Sequence, residues 1–216
     1  MTRSLQPHAF MPARGRPRSP DIERRIIQVA QLFFAQRAFG DVPMDEIAGE
    51  AGTSKATIYL YFRSKQELFT AALDDLLAQL PPATELTRTS SGDLISQQLL
   101  IVAMRVNQLL SSMSFELIRR TLASNISAPL RQRIWRTAGL PYVEAISDYL
   151  LIQADRGLLT INDAKSSASL FIRLVAGGKA LHSQLSGSSF GFIEEHNLRE
   201  AVELFVRGHT ADGTLQ

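Results

Sequence analysis

The sequence of 216 residues contains no cysteine, which excludes disulfide bonds, thiolate metal sites and cysteine nucleophiles. It has no run of about 18 apolar residues, so we expect no transmembrane helix and no membrane partner. Arg14, Arg16 and Arg18 interrupt any apolar stretch that would resemble a signal peptide. With neither a signal peptide nor a transmembrane helix expected, we expect a cytoplasmic protein. Strand alternation with hairpin turns is missing as well, so we expect an all-α fold.

Charge is distributed unevenly along the chain, although the formal net charge is only +2. Residues 1–65 hold ten Lys and Arg against six Asp and Glu, whereas residues 66–216 hold thirteen against fifteen. A basic amino-terminal part indicates a nucleic acid or another anionic surface as partner. The alternative for its first residues is a solvated, unstructured tail.

Residues 44–65 have the pattern of two short helices joined at a glycine. Gly52 stands where a left-handed residue ends a helix, and Ser54 is placed to cap the next one. The apolar positions of the first helix recur at i, i+3, i+4 and i+7: Met44, Ile47, Ala48 and Ala51. In the second helix the inward positions are Ile58, Tyr61 and Phe62. This is the pattern of a helix-turn-helix.

The outward face of the second helix carries donors, one cation and no carboxylate: Thr53, Lys55, Thr57 and Tyr59. That polarity suits a surface that meets phosphates and base edges.

The segment AGTSKATIYLYFRSKQEL resembles the DNA-binding signature of TetR-family repressors, and the resemblance extends from about Ile22 to Leu73. It implies that four residues approach bases: Lys55, Ala56, Thr57 and Tyr61. It places Tyr59 and Lys65 on phosphates. The family often has Ser or Thr at the start of the second helix, where this chain has Val42 and Pro43, so we expect one phosphate contact to be missing.

The basic arm preceding the helices contains Arg14, Arg16 and Arg18 around a Gly and a Pro. Such an extended segment is narrow enough for an A·T-rich minor groove, where the negative potential is deepest. We expect these arginines to contact DNA beside each half-site.

The composition divides the chain into three regions: a flexible basic arm over 1–18, three helices over 19–65 and a larger helical part over 81–216. The family resemblance implies that the second is the helix-turn-helix DNA-binding domain and the third an effector-binding and dimerisation domain. A helix over 65–80 connects the two domains, and Pro81 and Pro82 end it. In the larger domain we expect helices near 93–112, 114–125, 128–138, 140–156, 162–185 and 193–208.

The last two of these helices have apolar faces that suggest a four-helix interface across a two-fold axis. Its expected residues are Leu170, Leu174, Gly177, Gly178, Leu181, Val202 and Phe205. Two adjacent glycines within a helix permit close approach of another helix. The alternative is that both helices close the core of a monomer. Residues 129–208 also resemble, more loosely, the AefR-like carboxy-terminal domain of TetR regulators, whose last two helices dimerise.

The family resemblance further implies a pocket for an unidentified small-molecule effector. Its candidate lining residues are Met104, Met113, Phe115, Trp135, Tyr142 and His182.

We therefore expect a homodimeric repressor that binds a palindromic operator in double-stranded DNA and is released by an effector. A related alternative is a TetR-type activator, and another is a ligand- or partner-binding protein whose DNA-binding helices are vestigial. An enzyme is supported only by Gly187-Ser188-Ser189-Phe190-Gly191, which matches the G-x-S-x-G pattern but lacks the strand it needs. We expect no catalytic residues, no metal site and no cofactor.

Overall fold

The computed structural model describes residues 19–90, 94–176 and 195–210, and every regular element in these ranges is helical. The amino-terminal helices are α1 (Pro20–Gln36), α2 (Met44–Glu50), α3 (Lys55–Tyr61) and α4 (Lys65–Ala78). The following helices are α5 (Ile95–Leu110), α6 (Met113–Ala123), α7 (Ala128–Ala138), α8 (Leu140–Asp155), α9 (Ala164–Ala176) and α10 (Glu195–Gly208). The all-α prediction is confirmed.

Serine caps explain where several helices begin. The Ser54 hydroxyl accepts the Thr57 amide at 3.0 Å, and the Ser64 hydroxyl accepts the Glu67 amide at 3.1 Å. Each bond satisfies an amide that the first turn of a helix leaves without an intrahelical acceptor. Gly52, with φ +62°, supplies the left-handed residue that reverses the chain between α2 and α3.

The helix that was expected from residue 162 begins at Ala164. Asp163 explains the difference, because its Oδ1 accepts the amides of Lys165 and Ser166 at 3.1 and 3.3 Å. The described part of α9 ends at Ala176, so the expected continuation to residue 185 lies outside the described residues.

The apolar faces of α1 to α4 form one core, which we call the amino-terminal core. Ile26, Ile47 and Ile58 are fully buried in it, and they come from α1, α2 and α3 respectively. The two short helices α2 and α3 therefore depend on packing against α1, because a seven-residue helix buries too little surface to be stable alone.

A second core, the main core, is built from α5, α8, α9 and α10. Val202 and Phe205 are buried in it, at 1% and 2% exposure, and the Phe205 ring lies 5.1 Å from the ring of Phe171. The expectation that Val202 and Phe205 face a partner subunit is therefore wrong, because these side chains pack within their own subunit. Leu170, by contrast, is 44% exposed on α9.

Helix α6 contributes consecutive side chains to different cores. Leu117 is buried in the amino-terminal core, and Phe115 packs against the main core. Ile118 is buried in a small third core, which α4 and α7 complete with Leu73 and Ile134. This helix therefore joins α1 to α4 to the rest of the described chain.

Candidate nucleic-acid interface

Helix α3 has one buried face and one exposed face. Ile58 is fully buried and Phe62 is 4% exposed, so these two residues anchor the helix to the amino-terminal core. Lys55, Ala56, Tyr59 and Leu60 are exposed on the other side. The side chains of Thr53 and Thr57 are half-buried at its margin. The solvent-facing side of α3 is therefore available for contact with a macromolecule.

Lys55 has an acidic neighbour that the sequence pattern did not suggest. Its Nζ donates a hydrogen bond to Oδ2 of Asp45 on α2, at 2.8 Å, and both side chains are about half or more exposed (49% and 70%). The bond to Asp45 raises the pKa of the Lys55 ammonium above its ordinary value. Lys55 is thus charged and held against α2 when DNA is absent.

We expect Asp45 to weaken DNA binding, because its carboxylate pairs with the Lys55 ammonium that would otherwise contact DNA. We expect Asp45→Asn to strengthen binding to any duplex about two- to fivefold, which is what an exposed ion pair is worth. One additional phosphate contact should steepen the dependence of the binding constant on salt by about one unit of slope. Titration of a random-sequence duplex at several salt concentrations measures both quantities.

Glu50→Gln is the matched control for Asp45→Asn, because it removes the same charge from the same helix without freeing Lys55. If both variants strengthen binding equally, net charge explains the effect and the pair between Lys55 and Asp45 has no specific role.

Lys65 is also engaged within the chain. Its Nζ donates to the carbonyl of Gly40 at 3.3 Å and lies 4.7 Å from the centroid of the Phe39 ring. Burial lowers the pKa of the Lys65 ammonium. The ammonium contacts the Gly40 carbonyl and the Phe39 ring in this position. Lys65 therefore fixes the turn between α1 and α2, and its expected phosphate contact stays a prediction.

Tyr61 lies on the inner side of α3, half-buried against the amino-terminal core. Its hydroxyl accepts the amide of Ser19 at 2.7 Å and donates to the Ser19 carbonyl at 3.4 Å. The Ser19 side chain itself makes no capping hydrogen bond. Tyr61 thus anchors the start of α1 to α3, which differs from the solvent-facing position that a base contact suggests.

Several predicted site residues lie outside the described residues: Arg14, Arg16, Arg18, Gly177, Gly178, Leu181, His182 and the segment 187–191 with Ser189.

Those candidate effector-binding residues that fall in the described ranges are not gathered around one interior space. Met104, Met113 and Trp135 are 44%, 42% and 51% exposed, so their expected position in an enclosed pocket is not what the structure has. An apolar residue type alone does not determine which side of a helix is covered. Phe115 and Tyr142 do lie together, with ring centroids 6.4 Å apart, and the Tyr142 hydroxyl donates to the Pro81 carbonyl at 2.7 Å.

Within residues 19–90, 94–176 and 195–210, no group of three or more His, Asp and Glu side chains is arranged to hold a metal ion. No helix in this part of the chain has the length and apolar character needed to cross a bilayer.

Leu60 and Asp45 were not identified from the sequence as residues of this surface. Leu60 follows Ala56 and Thr57 by four and three positions, so helical spacing alone would have placed it on the exposed face. The pairing of Lys55 with Asp45 had no comparable signal, because it depends on how α2 and α3 cross.

Comparison with known proteins connects this geometry to a family. Residues 26–72 match the family model of bacterial regulatory proteins of the tetR family, and residues 97–211 match that of the AefR-like transcriptional repressor carboxy-terminal domain. The second match alone covers more than half of the 216 residues.

The sequence is 32% identical over 97 residues to the HTH-type transcriptional regulator EthR of Mycobacterium tuberculosis, which covers 43% of this chain and 44% of EthR. The match therefore spans less than half the length of that relative. A TetR-family regulator from Pseudomonas syringae pv. tomato has a TM-score of 0.62 at 26% identity, covering 89% of this chain and 99% of that one. Another from Agrobacterium tumefaciens has a TM-score of 0.68 at 17% identity, with coverage of 90% and 97%.

The exposed face of α3, the serine-capped turn before it and both family matches lead to one assignment: the chain belongs to the TetR family of transcriptional regulators, with a DNA-binding helix-turn-helix domain at its amino-terminal end.

Proposed function

We propose that this regulator is a repressor that binds a palindromic operator as a homodimer and releases it when a small-molecule effector binds. The observation that carries the proposal is the exposed side of α3, which presents Lys55, Ala56 and Tyr59 and no carboxylate of its own. A helix of this kind fits the major groove, and two copies would contact half-sites about 34–36 Å apart or a multiple of that distance. A regulator of this kind works in the cytoplasm, where a bacterial operator is found.

The start of α1 supports a role for the basic arm. Ser19 is hydrogen-bonded to Tyr61 on α3, so the arm joins the folded domain beside the recognition helix. Because a residue extends the chain by at most about 3.6 Å, the five residues from Ser19 back to Arg14 can span up to about 18 Å. That distance suffices for Arg14, Arg16 and Arg18 to reach the minor groove next to the half-site that α3 occupies.

Release by an effector needs a physical connection between the two binding sites. Helix α6 is suited to this role because Phe115 contacts the ring of Tyr142, whereas Leu117 is buried among α1 to α4. An effector that binds near Phe115 in only one arrangement of α6 would shift the dimer towards that arrangement. If DNA binds the other arrangement, the effector weakens DNA binding. By the reciprocity of coupled equilibria, DNA weakens binding of the effector by the same factor.

The proposal is tested by selecting duplexes from a random pool with the full-length protein. We expect a palindromic sequence to be enriched. The double variant Lys55→Ala, Tyr59→Phe should lose specific binding to it, because both side chains are exposed on the proposed contact surface and absent from the cores. Sedimentation should show the same dimer for the variant and the parent protein.

Lys165→Ala is the control, since it removes an exposed cation from α9, far along the chain from α3. Failure to enrich any sequence would favour a ligand- or partner-binding protein with vestigial DNA-binding helices. If the selected operator is found and a promoter reporter rises rather than falls when the protein is present, the regulator is an activator.

A further inference from the structure

Leu60 is an unusual residue for the exposed side of a DNA-binding helix. It is 66% exposed, which is the highest value for a large hydrophobic side chain in the described ranges, and it lies on the solvent-facing side of α3. An exposed leucine in isolation is common on protein surfaces and needs no explanation. This one lies on the surface through which the helix-turn-helix is proposed to bind DNA.

The polar groups of Lys55 and Thr57, on the same side of α3 as Leu60, are already engaged within the chain. Nζ of Lys55 is hydrogen-bonded to Asp45 at 2.8 Å. The Thr57 hydroxyl lies 2.8 Å from the hydroxyl of Ser54, which also accepts the Thr57 amide. The Thr57 methyl group takes no part in this capping arrangement. Apart from the Tyr59 hydroxyl, the chemistry that this side of α3 offers without breaking a bond is therefore aliphatic.

The aliphatic groups lie close together on the helix. Ala56 and Thr57 precede Leu60 by four and three positions, and residues at these spacings are neighbours on a helix surface. Four residues of α-helix rise about 6 Å, which corresponds to about two base-pair steps of 3.4 Å. A strip of this length would meet two adjacent base pairs.

In the major groove the only apolar group on a base edge is the C5-methyl group of thymine. Every base pair also presents polar groups on this edge that an aliphatic strip leaves without a partner, so the thymine methyl group is what distinguishes A·T pairs for such a strip. Resting on the proposed function, we propose that Ala56, Thr57 and Leu60 form a strip that recognises thymine methyl groups and selects A·T pairs at two adjacent positions in each half-site.

The test uses the selected operator with deoxyuridine in place of individual thymines, which removes one methyl group and keeps base pairing. For the parent protein we expect about a fourfold loss of affinity at each thymine that contacts the strip, since that is what burying one methyl group is worth. Substitutions at thymines outside the contacted positions should change affinity by less than about 1.5-fold.

Leu60→Ala is the diagnostic variant. It should bind the thymine operator more weakly than the parent does, and its preference for thymine over deoxyuridine should fall to about one at the position that Leu60 contacts. Because Leu60 is exposed, the helix content and unfolding temperature should not change. Leu32→Ala, which truncates a leucine that is 40% exposed on α1, should keep the full thymine preference.

Each other outcome contradicts the proposal in a recognisable way. An operator with G·C pairs at the positions of α3, or a Leu60→Ala variant that still prefers thymine, would overturn the methyl strip and leave the regulator itself intact. A variant that changes only the association state would show that Leu60 contacts another subunit. If no sequence is enriched at all, the proposed function fails together with this inference.

Discussion

Ala56→Glu should weaken binding to the selected operator by about 100-fold, which corresponds to the loss of one or two good base contacts. The substitution replaces an exposed methyl group on α3 with a carboxylate, which the phosphates on both sides of a groove repel. The fold should tolerate it, because Ala56 lies in the first turn of α3, where an acidic side chain is favourable. Fluorescence anisotropy with a labelled operator at constant ionic strength measures the loss.

Gln108→Glu provides the control for this change. It adds the same negative charge at an exposed position of α5, away from the proposed DNA contact. We expect its affinity to remain within about twofold of the parent value, because exposed charges farther apart than the Debye length of about 10 Å are largely screened. Operator binding by Ala56→Glu at parental affinity would show that α3 does not enter the groove.

Phe34→Ala should reduce the free energy of unfolding by about 3–5 kcal/mol, the usual range for removing a buried aromatic ring. Phe34 is 1% exposed, and its ring meets the ring of Phe69 edge-on at 5.0 Å and stacks on that of Phe39 at 5.8 Å. The cavity left behind would open the amino-terminal core between α1 and α4. Operator binding should be lost with it, since this core holds α3 in place.

Chemical denaturation at one fixed protein concentration measures this change, because the stability of a dimer depends on concentration. The control is Leu32→Ala, on the same helix and 40% exposed, with an expected loss of no more than about 0.5 kcal/mol. Equal losses for the two variants would contradict the packing described for α1.

The serine caps at the starts of α3 and α4 were predictable, because they depend on local chemistry. The hydroxyls of Ser54 and Ser64 accept amides three residues later, as their sequence neighbours indicate. At the second site Glu67 accepts the amide of Arg63 at 2.7 Å, one residue before the cap that a capping box predicts. The serine cap is determined by its sequence neighbours, whereas the hydrogen-bond partner of the glutamate depends on how the chain enters the turn.

The partner of an apolar face was much harder to predict. Helical spacing correctly indicates that Val202 and Phe205 are covered, but it contains no information on whether the cover is another helix of the same subunit or a second subunit. Here α9 supplies it, through Phe171. Leu170, on the exposed side of α9, stays a candidate for the dimer interface.

Interactions between helices explain the remaining differences at the candidate DNA-binding surface. Lys55 and Asp45 are ten residues apart and lie on different helices, so no periodicity connects them. Tyr61 and Ser19 are separated by 42 residues, and only the packing of α1 against α3 brings them together. The residue types of such a surface can be predicted from a sequence, whereas the hydrogen bonds between those residues depend on tertiary geometry.

If the proposed effector site lies beside Phe115, the neighbouring residues of α6 limit how far that site can be redesigned, because they pack into separate cores. Enlarging the space beside Phe115 would disturb a helix whose next turn also contains Leu117 and Ile118. Substitutions chosen for ligand preference would therefore also alter thermal tolerance and operator affinity, and their effects would not be additive. Biosensor libraries built on this scaffold should vary positions on α5 and α8 first and leave α6 unchanged.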